Sequence, residues 1–375
     1  MNQKGLTEKE VLALLSNALQ KDTSYDKVLS AMCTRPHPIA VKAHMQFIVS
    51  NMGDFGLFSG TRELEQNVIK MMGSLLGDEN ACGYITTGGT ESNIQALRTA
   101  RNLSNKRHPN VVVPASAHFS FDKIADLLGI ELRKASLDHE FKVDIDSVEA
   151  LMDDNTIALV GIAGSTEFGQ IDPIDKLAQV ALSNNLFLHV DAAFGGFVIP
   201  FLDKKYDFDF SVKGVASITA DPHKMGLSTI PSGGLLFKEE SCLLPLEIDT
   251  PYLTIRAQHS LTGTRSGAAV AAAYAVMMHL GREGYRKIVG RCIKMTDMLV
   301  AGTREFGIEP LIEPVINIVA LDVPNIEEVR KKLRKKGWMT SITRNPRAMR
   351  LIIMPHVSEE ALLLFISDLG KCLRE

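Results

Sequence analysis

Three places in the chain set chemically capable side chains directly after short apolar runs. Thr86-Thr87-Gly88-Gly89-Thr90-Glu91-Ser92-Asn93 follows the run Cys82 to Ile85. Two glycines and then hydroxyls open a helical pattern through Ala96 and Leu97. Exposed amides at a helix N-terminus, with the Thr90 hydroxyl beside them, make an anion cradle. The stretch is not a Walker A loop, because no Gly-Lys-Ser/Thr follows, and it is not a GxGxxG fingerprint. Alone it fits a capped strand–helix turn as well as a phosphate site. The second place is His189-Val190-Asp191-Ala192-Ala193, where Asp191 ends the apolar run Leu186 to Val190. A carboxylate at the end of a buried strand needs a partner to offset its desolvation. The third is Ser217-Ile218-Thr219-Ala220-Asp221-Pro222-His223-Lys224, a strand pattern ending in a turn that carries His and then Lys. A lone lysine after a strand is ordinarily a solvated surface residue.

The three places acquire a common meaning when they are combined. A lysine that can lose its proton forms an imine with an aldehyde. A buried aspartate holds a pyridine nitrogen protonated and turns the ring into an electron sink. A phosphate cradle anchors the other end of the same molecule. Together they describe a site for pyridoxal 5′-phosphate (PLP), with no metal required. In an open α/β sheet such a site forms at the carboxyl ends of the strands.

In this order, Gly-Gly-Thr-Glu-Ser-Asn (88–93), His118, His-Val-Asp-Ala-Ala (189–193), Asp-Pro-His-Lys (221–224) and Gly-Thr-Arg-Ser-Gly (263–267) resemble the group II PLP-dependent decarboxylases of fold type I. The resemblance covers essentially the whole chain. Met32-Cys33-Thr34-Arg35-Pro36-His37-Pro38 and Arg350-Leu351-Ile352-Ile353-Met354-Pro355-His356 look like the archaeal subgroup that decarboxylates L-tyrosine or L-aspartate. That subgroup lacks the long extra segments of the animal aromatic amino-acid and glutamate enzymes. The implied reactions are tyrosine to tyramine, feeding methanofuran biosynthesis, and aspartate to β-alanine, feeding coenzyme A biosynthesis. Sphingosine-phosphate lyases share related motifs and give a second reading, a PLP-dependent carbon–carbon lyase. A catalytically silent scaffold of the same fold is a third.

The resemblance implies a part for each matched residue. Lys224 would hold the cofactor aldehyde as an imine, and Asp191 would pair with the pyridine nitrogen. Ala193 would pack on one ring face and His118, in Ala115-Ser116-Ala117-His118-Phe119-Ser120, on the other. Gly89, Thr90 and His223 would bind phosphate, and Thr166 would hold ring-side oxygens or phosphate. Gly263 and Thr264 would reach the phosphate in a partner subunit, so a homodimer with shared active sites is implied. Tyr252, in Asp249-Thr250-Pro251-Tyr252-Leu253, is either the acid that returns a proton to the substrate α-carbon or a tyrosine packed at the dimer interface. Recognition of a carboxylate calls for the bidentate fork of an arginine. Arg350 is a candidate for that task or a member of a structural ion pair. Arg35 either faces an aspartate side chain or lies on the surface.

The elements that must position these residues follow from periodicity. Thr7-x-x-Glu10 before Val11-Leu12-Ala13-Leu14-Leu15 reads as a capping box opening an amphipathic helix. Beyond it, residues up to about 55 read as irregular arms, with extended backbone forced around His37 by the prolines on either side. From about 60 to 240, apolar runs such as Val111 to Val113, Ile157 to Ile162 and Leu186 to Val190 alternate with helical patterns such as Ile174 to Leu182. That alternation predicts an α/β fold with a mostly parallel sheet. An Ala-rich helix over 266–290 would bridge to a small α+β C-terminal domain. Within that domain, Glu327 to Lys336 is a charged stretch with Val329 and Leu333 four apart, which reads as a solvated amphipathic helix. The expected organisation is an N-terminal arm for dimer contacts at 1–55, a large PLP-binding domain at 56–295 and the small C-terminal domain at 296–375.

Composition narrows the class of function. The 375 residues are 45% hydrophobic and 23% charged, with a net charge of −3. These values fit a globular chain large enough to bury a core without cross-links. Such a balance gives no global positive field for nucleic acid or an anionic membrane. No apolar run approaches the roughly 20 residues of a membrane helix. The five cysteines, Cys33, Cys82, Cys242, Cys292 and Cys372, are odd in number and contain no CxxC pair. Neither a disulfide framework nor a structural zinc site is expected, and scattered thiols fit a cytoplasmic protein. Met1 to Lys9 is polar and has no signal-peptide core. The expected partner is a small amino-acid substrate.

Overall fold

In the computed structural model, which describes Met1 and residues 3–374, helix α1 (Glu8–Leu19) starts at the expected capping box. Thr7 Oγ1 accepts from the Glu10 amide at 3.3 Å, and the Glu10 carboxylate accepts from the Thr7 amide at 2.8 Å. None of the residues of α1 is buried within the chain. The arm after it is more regular than its prolines suggested. His37 is extended (φ −62°, ψ 141°), but it caps a second helix, α2 (Pro38–Gln46). Pro38 sits in the first turn, where a missing N–H leaves no hydrogen bond unmade. Helix α3 (Ser59–Leu75) then leads into the large sheet.

The strands are β1 (Cys82–Thr86), β2 (Asn110–Pro114), β3 (Glu131–Ala135), β4 (Thr156–Ile162), β5 (Phe187–Asp191), β6 (Val215–Ala220) and β7 (Gly233–Phe237). They form one sheet in the order β1-β7-β6-β5-β4-β2-β3. Only β7 runs against the others. The crossovers are helices α4 (Gly89–Leu103), α5 (Ser120–Leu128), α6 (Ile145–Leu151) and α7 (Ile174–Ser183). Helices on both faces explain why β2 and β4 are buried along their whole length and read as continuous apolar runs. Because every strand but β7 points the same way, β1, β2, β4, β5 and β6 deliver their carboxyl ends to one edge. The expected α/β class with a mostly parallel sheet is what forms.

A two-stranded ribbon, β8 (Ile248–Asp249) and β9 (Ala257–Gln258), presents the loop carrying Tyr252. The Ala-rich helix is longer than its composition indicated. Helix α8 runs from Gly267 to Arg304 with a kink at Gly281, whose φ of 56° and ψ of −175° are non-helical. Glycine adopts that backbone without strain from a side chain. Val270, Ala273 and Met277 of α8 pack in the core of the large sheet, while Met295, Leu299 and Val300 pack in a second core. That second core is completed by β10 (Ile318–Leu321), α9 (Ile326–Lys335), β11 (Ser341–Ile342), β12 (Met349–Ile352) and α10 (Glu359–Arg374). Helix α9 buries only Val329 and Leu333, the pair its spacing pointed to.

The arm is woven into this small sheet. Val28 bridges Met339, the Leu29 amide donates to Met339 O at 2.8 Å, and the Ile352 amide donates to Leu29 O at 2.8 Å. His356 adds two contacts, at 2.9 Å to Val28 O and 2.9 Å to Thr34 Oγ1. Met32 and Cys33 are therefore held between two fixed points.

Candidate active site

The carboxyl ends of the strands enclose a cavity of about 380 Å³. Its lining includes Gly89, Thr90, His118, Thr166, Asp191, Ala193, His223 and Lys224. Residues more than 130 positions apart in sequence thus meet at one place, at or just beyond the carboxyl ends of β1, β2, β4, β5 and β6. Met32 and Cys33 of the arm and Ile162, Phe194 and Ile230 of the large domain give the remaining wall an apolar character.

The Gly88–Gly89 turn shows why glycine is needed there. Gly88 has φ of +146°, and a Cβ on it would sit 3.2 Å from His223 Cε1. A Cβ on Gly89 would lie 3.0 Å from Asp221 Oδ2 and 3.1 Å from Ala193 Cβ. The free backbone brings the N-terminus of α4 onto the cavity. Glu91 folds back to accept from the Thr87 amide at 2.8 Å and the Thr87 hydroxyl at 2.7 Å, which fixes the turn.

Asp191 is 7% exposed. Its Oδ1 accepts from the Ala193 amide at 3.0 Å, and its Oδ2 accepts from Asn93 Nδ2 at 2.9 Å. Lys224 Nζ lies 3.1 Å from Asp221 Oδ2, which also accepts from the Gly89 amide at 3.0 Å. Burial works to lower the Lys224 amine, but the carboxylates of Asp221 and Asp191 outweigh it and hold the amine above its ordinary value. His223 Nδ1 donates to Ser232 O at 2.6 Å, and its Nε2 lies 3.8 Å from Asp221 Oδ2. Burial pushes the His118 imidazole down against the opposing pull of Asp191, and His118 Nδ1 accepts from the Ser120 amide at 3.2 Å.

Other expected site residues lie elsewhere in the single chain. Tyr252 is 86% exposed on the β8–β9 loop, and Gly263 and Thr264 lie beyond that ribbon; none of the three lines the cavity. Arg35 takes the surface alternative, paired with Asp26 at 2.8 Å. Arg350 is 8% exposed, and it forms no pair with a carboxylate in the contacts it makes. It donates to Thr166 O, to Ser30 O at 3.3 Å and to Ser341 Oγ at 3.0 Å. Burial draws its guanidinium down to about 10. It thus braces the cavity residue Thr166 against the arm and the small sheet.

The motifs gave no part to Asn93, Asp221 or His189, yet all three are central here. Strand alternation was the available signal for His189, since it shares a face with Asp191. Helical spacing was the signal for Asn93, four positions after Gly89. Asp221 read as a turn residue before proline, and only the fold shows that it faces Lys224.

The residues suit PLP. Backbone amides at a helix N-terminus match its phosphate, a buried carboxylate matches its ring nitrogen, and the cavity falls in the size range of cofactor pockets. A lysine on such a carboxyl-end cavity of a mostly parallel sheet defines the class of fold type I PLP enzymes. The chain belongs to the pyridoxal-dependent decarboxylase family, whose conserved domain matches residues 45–320. It is 59% identical to a probable L-tyrosine/L-aspartate decarboxylase of Methanosarcina mazei, covering 100% of this chain and 99% of that protein. It is 53% identical to a probable L-aspartate decarboxylase of Archaeoglobus fulgidus, covering 95% and 97%. Among solved structures it is similar to a sphingosine-1-phosphate lyase of Burkholderia pseudomallei, with a TM-score of 0.93 and 27% identity over 100% of this chain and 92% of that one. A glutamate decarboxylase of Lactobacillus brevis shares the fold at a TM-score of 0.90 and 23% identity, covering 100% and 94%. The protein is a PLP-dependent amino-acid decarboxylase.

Proposed function

We propose that the chain decarboxylates L-tyrosine to tyramine, L-aspartate to β-alanine, or both, in the cytoplasm and as a homodimer. Tyramine would supply methanofuran biosynthesis and β-alanine coenzyme A biosynthesis. The observation that carries the reading is the convergence of Lys224, Asp191 and the N-terminus of α4 on one cavity. The likeness to probable tyrosine/aspartate and aspartate decarboxylases supports the substrates.

Bound PLP supplies an electron-accepting ring for the pair left behind when the substrate carboxylate departs as CO₂. Lys224 would be the amine that holds the cofactor aldehyde. Asp191 would hold the proton on the ring nitrogen, and its two protein donors leave its cavity side for that task. His118 and Ala193 would pack against the ring. Gly89, Thr90 and His223 would take the phosphate, and Thr166 would take phosphate or ring-side oxygens. Arg350 orients the substrate carboxylate from behind Thr166.

The dimer completes the site. Gly263 and Thr264 would serve the phosphate of the other subunit, and Tyr252 would return a proton to the α-carbon there. Two observations support pairing: α1 exposes Val11, Leu12, Leu14, Leu15 and Leu19 on a helix with nothing buried, and Tyr252 projects away from its own chain. Dimer contacts by the arm follow from the same exposure.

Purified protein with PLP, offered tyrosine, aspartate, glutamate and phenylalanine, should release CO₂ and the matching amine from tyrosine or aspartate. Aldehyde release without CO₂ would instead favour a lyase. Lys224→Ala should abolish both turnover and the visible absorbance of the bound cofactor. Full turnover in that variant would overturn the assignment.

A further inference from the structure

Beneath the cavity floor, the sheet face covered by α4 is polar where an apolar layer would be expected. His189 and Asp191 point to this face from β5, and Ser217 and Thr219 point to it from β6, paired in register as His189 with Ser217 and Asp191 with Thr219. Asn93 reaches down from α4. Ser217, His189 and Thr219 are 0% exposed and Asn93 is 1% exposed. Five buried polar side chains under one helix demand full hydrogen bonding.

They achieve it in only one direction. Asn93 Nδ2 donates to Asp191 Oδ2 at 2.9 Å. Its Oδ1 is then the acceptor, and it receives the Thr219 hydroxyl at 2.7 Å and His189 Nε2 at 3.0 Å. His189 must therefore carry its proton on Nε2, which leaves Nδ1 to accept the Ser217 hydroxyl at 2.8 Å. The neutral imidazole this requires is the form that complete burial favours. The chain Ser217 to His189 to Asn93 to Asp191 therefore has one sense. Reversing any member would face donor against donor or acceptor against acceptor.

We propose that Asn93 and His189 are positioning residues for Asp191. Their relay turns one carboxylate oxygen inward and fixes the other cavity-facing lone pairs on the nitrogen of the cofactor ring. The inference rests on the PLP reading above. It adds that the ring nitrogen's proton is governed by residues that act through Asp191. Their value lies in the direction of the hydrogen bonds.

The deciding variant is Asn93→Asp, which keeps the shape of the side chain and replaces the donor to Asp191 by an acceptor. His189→Leu removes the donor to Asn93, whereas His189→Gln can supply one again. Each variant is loaded with PLP, and its visible absorbance is titrated with pH alongside kcat and KM per bound cofactor. Asn93→Asp and His189→Leu should displace the absorbance midpoint and lower kcat on the order of tenfold or more, with KM little changed. His189→Gln should restore most of both. A merely structural role would reduce cofactor occupancy and thermal stability but leave the spectrum and kcat of the loaded fraction unchanged; that result would overturn the proposal. Should Asn93→Asp fail to fold, Thr219→Val removes one donor to Asn93 and decides by the same readings. If wild-type protein itself shows no PLP absorbance, the underlying reading fails rather than the relay.

Discussion

Lys224 Nζ sits 3.1 Å from Asp221 Oδ2, within a turn that places the two residues three positions apart. This contact sets the state of the amine before any cofactor arrives. An ammonium paired with a buried carboxylate is a poor nucleophile, because only the neutral amine attacks an aldehyde.

Asp221→Asn should therefore speed cofactor capture. Removing the carboxylate removes the main force holding the Lys224 amine up, and its titration moves to lower pH. Each unit of that movement gives about tenfold more free amine at neutral pH. Rapid mixing of cofactor-free enzyme with PLP across a pH series measures it. Coincident profiles for wild type and variant would show that Asp221 does not control the amine.

His189 makes a separate prediction about acid stability. Burial holds its imidazole down to about 4. The unfolded chain, with a histidine near 6.5, takes up a proton first as the pH falls. Its contribution to stability is thus intact above about 6.5 and is lost progressively towards pH 4, by about 3 kcal/mol in all. Asp172 works in the opposite sense. Burial raises it to about 7, although its oxygens accept from the Val143 and Ile162 amides at 2.8 and 2.7 Å. Its term is shared by wild type and His189→Gln and cancels in their difference. Urea unfolding at several pH values should show the advantage of wild type over His189→Gln shrinking between pH 6.5 and 4. A constant gap would mean that His189 does not titrate as its surroundings dictate.

Arg350→Lys should raise KM for the amino acid by about an order of magnitude. A lysine cannot span Thr166, Ser30 and Ser341 at once, nor offer a planar fork to a carboxylate. Steady-state kinetics provides the measurement. Unchanged KM and kcat would restrict Arg350 to bracing the arm.

The apolar side of α1 predicts that charge there will weaken assembly. Leu12→Glu together with Leu15→Glu should shift the protein from dimer towards monomer in sedimentation at micromolar concentration, with activity falling in parallel. A monomeric wild type with full activity would remove the case for shared sites.

Much of this site could be seen in the sequence because strand ends announce themselves. Asp191 and Lys224 each follow an apolar run and precede a turn, and the run is apolar because the parallel sheet is covered on both faces. Residues that act across the sheet gave weaker signals. Asn93 lies in the second turn of a helix, where a polar residue ordinarily faces solvent. The reversed strand β7 is a short Gly-Gly-Leu-Leu-Phe run, and nothing local to it reports its direction. Helix α2 was obscured by the prolines on either side of His37, since proline marks the start of a helix as readily as it interrupts one. The surface placement of Arg35 depends on Asp26, nine residues away in an irregular segment, and spacing cannot report such a pair.

The weave of the arm into the small sheet also ties the two ends of the sequence to one cavity wall. Met32 and Cys33 lie near the start of the chain, but contacts that hold their segment come from Met339, Arg350, Ile352 and His356. The Met32–Cys33 wall of the cavity thus depends on contacts made more than 300 positions further along the chain, so loosening the small sheet would loosen the cofactor pocket.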